Sequence, residues 1–96
     1  MSRQVEDREA DAIFLRALAK RVRLLRRVRE LTQDELARAA GMSRSFVSLI
    51  EKGSHGVDVV RLLRLADALD VSLPELLDLA SPEASPEASR AEGLPS

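Results

Sequence analysis

Residues 31–53 read LTQDELARAAGMSRSFVSLIEKG, and the order of caps and breakers in this stretch decides the architecture. Thr32 is a natural N-cap, and Glu35, three residues on, completes a capping box, so a short helix is predicted from Gln33 to Ala40. Gly41 stops it, because the chain must turn sharply there and glycine tolerates left-handed backbone. Ser43 caps a second short helix, Arg44 to Lys52, which Gly53 terminates. With so short a turn between them the two helices must cross closely, and small Ala37 leaves room for the crossing. On the later helix Phe46, Val47 and Ile50 point one way. Arg44, Ser45, Ser48 and Lys52 lie within about 100° on the other side. Such a helix is held from behind and displayed in front.

Working outward, a long amphipathic helix is predicted over about residues 9–29. Phe14, Leu18, Val22, Leu25 and Val28 form its apolar face, and Arg16, Lys20, Arg23 and Arg27 form its cationic back. On the other side, Asp58 caps a fourth helix to about Leu69, and Ser72 with Glu75 caps a fifth to about Ala80. The fourth helix carries more apolar residues than one buried face needs, so a second side is expected to meet a partner. The segment SPEASPEASRAEGLPS has almost no large apolar side chain to offset its ordering entropy and is expected to be disordered. The chain therefore divides into an arm or helix extension (1–12), an all-α domain of five helices (13–80) and a tail (81–96).

Composition narrows the function. Ninety-six residues make one small domain that buries only about 60–65% of its unfolded surface, too little for an elaborate active site. There is no Cys, so thiolate chemistry and cysteine zinc sites are excluded, and one histidine, His55, cannot build a metal site alone. No metal and no cofactor is expected, nor an enzyme, since the acids lack a nucleophile or base partner. The charged N-terminus and the want of a long apolar run disfavour secretion and membrane insertion, so a cytoplasmic protein is expected. Two aromatic residues, Phe14 and Phe46, are too few for the stacking platforms that bind single-stranded nucleic acid. The net charge of −1 hides a polarised distribution: residues 13–52 carry ten Lys/Arg against four acids, and the segments on both sides are acidic. An anionic partner would dock on that basic block.

Together with the flanking RVRLLR and LLRLADALDVSLPELL, the stretch 31–53 resembles the helix-turn-helix domains of the phage-repressor (Cro/C1, xenobiotic-response-element) family, over about residues 14–80. The resemblance implies a lambda-repressor-like fold and a transcriptional regulator that binds double-stranded DNA as a homodimer. It implies that Arg44, Ser45 and Ser48 face base edges, and that Gln33, Ser43, Lys52, Ser54, His55 and Arg23 approach phosphate, Gln33 also bracing the reading helix. It further implies a partly buried structural pair, Arg26 with Glu51, and a dimer contact through Leu69, Val71, Leu73, Leu76 and Leu77. This chain departs from the family where Glu30 replaces a common glycine, and in a Ser-rich, aromatic-free reading face that leaves Arg44 as its one strong base-reading side chain. The competing expectation is an antitoxin-like subunit that chiefly binds a protein partner through its acidic 53–80 half and tail, with DNA binding secondary.

Overall fold

The computed structural model describes residues 2–79, with side chains from residue 8 onward. The proposed tail, and Ala80 at the expected end of the last helix, lie outside the described residues. Five helices follow one another: α1 (Ser2–Val28), α2 (Gln33–Ala40), α3 (Arg44–Lys52), α4 (Val59–Ala68) and α5 (Leu73–Leu76). Each cap predicted for α2 to α5 is present. Thr32 Oγ1 accepts the Glu35 amide while the Glu35 carboxylate accepts the Thr32 amide, and Ser72 with Glu75 repeats the same reciprocal box. Ser43 and Asp58 accept the amides of Phe46 and Arg61.

Helix α1 is the support on which the rest is mounted. It packs against α3 and α5, α2 packs against α3 and α4, and α4 against α5. The core gathers Leu18, Val22, Leu36, Val47, Ile50, Leu62, Leu65, Leu69 and Leu76, each at or below 9% exposure. Burying a side chain of this size contributes about 1.5–3 kcal/mol, so this cluster supplies most of the driving force.

Three expectations from the sequence are corrected. Helix α1 begins at Ser2 rather than near residue 9, and Phe14 and Val28, read as core, are 47% and 67% exposed. A helix of 27 residues spans about 40 Å, longer than the elements that pack on it, so its ends outrun the core. Leu69 and Leu76, expected at a dimer contact, are enclosed within the subunit, because α4 and α5 spend these side chains on their mutual core. The exposed apolar side chains of α4 are instead Val59, Val60 and Leu63. Finally, α5 ends at Leu76: the Asp78 and Leu79 amides turn back to the carbonyls of Glu75 and Leu77, tightening the chain out of the helix.

Candidate nucleic-acid interface

The displayed surface is α3, and its two ends are both fixed. At the start, Ser43 Oγ accepts the Phe46 amide at 3.0 Å, which leaves the hydroxyl proton free to donate outward. At the finish, Gly53 takes φ +76°, and a side chain there would press on the backbone of Arg16 in α1, whose Cα lies 3.1 Å from the place a Cβ would occupy. Val47 and Ile50 anchor the helix in the core. On the opposite side Arg44, Ser45 and Lys52 are exposed and Ser48 is half-buried. These four, with Leu49, line one open hollow on the surface.

Behind that surface stands a buried polar cluster. Arg26 donates from Nε and Nη2 to the two carboxylate oxygens of Glu51 at 2.7 and 3.0 Å, and from Nη1 to the Leu31 carbonyl at 2.9 Å. Gln33 Nε2 donates to Glu51 Oε1 at 3.0 Å, and the Arg23 guanidinium donates to the Glu51 backbone carbonyl. Glu51 is the buried charged residue among the described positions, and every buried polar side-chain atom described there has a partner. The hydrogen bond to Glu51 raises the Arg26 pKa above its ordinary value, outweighing the burial that opposes it. The cluster ties α1, the start of α2 and the last turn of α3 together. Arg23, expected at phosphate from the resemblance, is drawn into this bracing: its guanidinium caps a C-terminal carbonyl of α3, where a cation also meets the negative end of the helix dipole.

The loop after α3 carries Ser54 and His55, both exposed. The His55 ring lies edge-on to Phe46 with centroids 5.4 Å apart, its Nδ1 2.8 Å from the Gly56 carbonyl. Arg61 of α4 places its guanidinium 5.1 Å from the Phe46 ring centre while pairing with Asp58 at 2.5 Å. This aromatic junction was not foreseen, because its members are far apart in sequence and share no helical period. Leu49 was missed as a surface residue too, although it sits one turn beyond Ser45, and that spacing was the available signal.

The remaining cations divide between ties and free charge. Arg21 donates to the Glu75 carbonyl and Arg29 pairs with Asp70, whereas Arg16, Lys20 and Arg27 along α1 are exposed. Among the described residues no helix is long and apolar enough to cross a membrane, and no group of His, Cys, Asp and Glu could hold a metal ion.

Comparison with known proteins agrees with this arrangement. A family model described as a helix-turn-helix domain matches residues 17–80. Control protein C.SmaI of Serratia marcescens is 35% identical over 72% of this chain and 86% of its own length. Among solved structures, the restriction-modification controller protein C.AhdI from Aeromonas hydrophila superposes with a TM-score of 0.63 at 40% identity, covering 65% of this chain and 94% of that one. The clp gene regulator ClgR from Corynebacterium glutamicum superposes at 0.68 with 26% identity over 85% and 87%. With two capped helices crossing at Gly41, a displayed α3 and a family match over most of the described residues, the chain belongs to the phage-repressor-like helix-turn-helix family of DNA-binding transcription regulators.

Proposed function

We propose that the protein is a sequence-specific regulator that inserts α3 into the major groove of duplex DNA as a homodimer. The observation that carries this reading is the clustering of Arg44, Ser45, Ser48 and Lys52 on the outer side of a helix whose inner side is locked in the core. A helix with its side chains is about 10–12 Å across, and the major groove is about 12 Å wide. Arg44 pairs bidentately with guanine O6 and N7, and the serine hydroxyls bond either class of base. Lys52 and the Ser43 hydroxyl at the helix ends, with Ser54 and His55 in the following loop, meet phosphate, as do the exposed cations of α1. Gln33 divides its role: its amide is engaged by Glu51, so it orients α3 and turns its remaining polar atoms to the backbone.

One such module binds weakly, and paired half-sites about 34 Å apart raise affinity and set symmetry. The second copy docks on the outer side of α4, where Val59, Val60 and Leu63 are exposed. The relative named as a restriction-modification controller, C.AhdI, and the control protein C.SmaI support a regulatory role here. Selection of bound duplexes from a random pool, with the salt slope measured on the winner, tests the proposal. A palindromic winner with a steep slope is expected; equal affinity for every duplex would overturn it.

A further inference from the structure

We infer that Leu49 is a fourth base-reading residue, and that it selects thymine by packing on the 5-methyl group in the major groove. The inference rests on the proposed duplex reading of α3 and extends it to a side chain that the polar pattern passes over.

Leu49 is 36% exposed, the one large apolar side chain of α3 left at the surface, while Val47 and Ile50, at 0% and 2%, are enclosed in the core. It lies beside the residues that would touch DNA: with Arg44, Ser45, Ser48 and Lys52 it lines the same open hollow. On the helix it sits one turn after Ser45 and one turn before Lys52, so the base-facing and phosphate-facing groups bracket it. A leucine in that position would cost little if the hollow met only water. Pressed against DNA, however, it can neither donate nor accept a hydrogen bond, so it penalises any base edge whose polar groups it covers.

One major-groove feature suits it. Thymine alone among the four bases presents a methyl group there, and apolar side chains discriminate by contact with it. Arg44 supplies the guanine preference, the serines are permissive, and Leu49 adds an apolar requirement. The reading face therefore specifies at least one thymine in each half-site, within the footprint of a single turn from the base that Arg44 reads.

The test replaces thymine by deoxyuridine, which removes the methyl and leaves every hydrogen-bonding group in place. Using the full chain and a selected duplex, each thymine of a half-site is exchanged in turn and the Kd measured. The expected result is a loss of about four-fold at one thymine per half-site, the equilibrium equivalent of one methyl-sized group returned to water. In Leu49→Ala, whose fold is checked by its thermal unfolding curve, the thymine-to-uracil ratio at that step falls to near one, while discrimination by Arg44 persists. Binding indifferent to uracil at every thymine, a selected site with no thymine beneath α3, or a uracil penalty unchanged in Leu49→Ala would overturn the assignment while leaving the duplex reading in place. A protein that prefers no duplex at all would overturn both.

Discussion

Arg26 and Glu51, twenty-five positions apart, meet in a two-point ion pair with the arginine side chain 14% exposed and the carboxylate 3%. Neither charge could be carried into that position alone, since an unpaired buried carboxylate costs several kcal/mol. The pair thus acts as a register between helices: α3 reaches its place only with its last turn seated on α1.

Removing one partner is predicted to be far worse than removing both. Arg26→Ala leaves Glu51 buried with only the Gln33 amide and is expected to cost about 3–5 kcal/mol, a large part of the total for a domain of this size. Arg26→Met with Glu51→Met is expected to regain more than half of that loss. Urea unfolding of the single and double variants decides it, and equal destabilisation by both would refute the pair as the source of the effect.

Substitutions on the reading face are predicted to separate specificity from affinity. Arg44→Ala should lose about 1–3 kcal/mol of discrimination at one base pair and bind non-operator duplexes nearly as before. Lys52→Ala should weaken all duplexes alike and lower the salt slope by about one. Titrations against matched and scrambled duplexes at several salt concentrations distinguish the two behaviours.

Glu30 sits at φ +56° in the turn that closes α1, with the Leu31 amide bonded to the Arg26 carbonyl and the Glu30 amide to the Arg27 carbonyl. That arrangement is the Schellman cap that glycine ordinarily completes, and a side chain there costs about 1 kcal/mol. Glu30→Gly is therefore expected to stabilise the protein by up to about 1 kcal/mol, raising Tm by about 4–8 °C in a domain of this size. A lowered Tm would contradict the strain.

Acid is predicted to loosen the caps of α4 and α5. Backbone and side-chain hydrogen bonds from Arg61 hold the Asp58 carboxyl below its ordinary 3.8, and the Ser72 cap holds Glu75 below its ordinary 4.5. Groups whose pKa is depressed on folding contribute stability that is fully present above the unfolded value and is lost as pH falls through the folded one. Stability should thus be level above about pH 5 and decline below it, and Asp58→Asn should flatten part of that decline. Urea midpoints between pH 3 and 7 measure it.

Much of this arrangement was legible beforehand because its signals are local. Thr32, Ser43, Asp58 and Ser72 announce helix starts by their own chemistry, and Gly41 and Gly53 announce two stops. The helical period separated Val47 and Ile50 from Arg44 and Lys52. What could not be read locally was how far each helix outlasts its neighbours. A wheel places Phe14 and Val28 on one face of α1 but does not say that they stay 47% and 67% exposed among the described residues, and it cannot say that Leu69 and Leu76 are enclosed in the subunit's own core. The Phe46–Arg61 contact depends on the α3–α4 loop geometry, which no periodicity encodes.

At Gly53 the end of α3 lies against α1 with no side chain between the two backbones, close to Arg16 and Ala19. A joint without a cushion has little slack. Pivoting of the long first helix would therefore carry Arg44, Ser45 and Ser48 with it, so under the proposed reading the pitch of α3 in the groove is machined into one glycine.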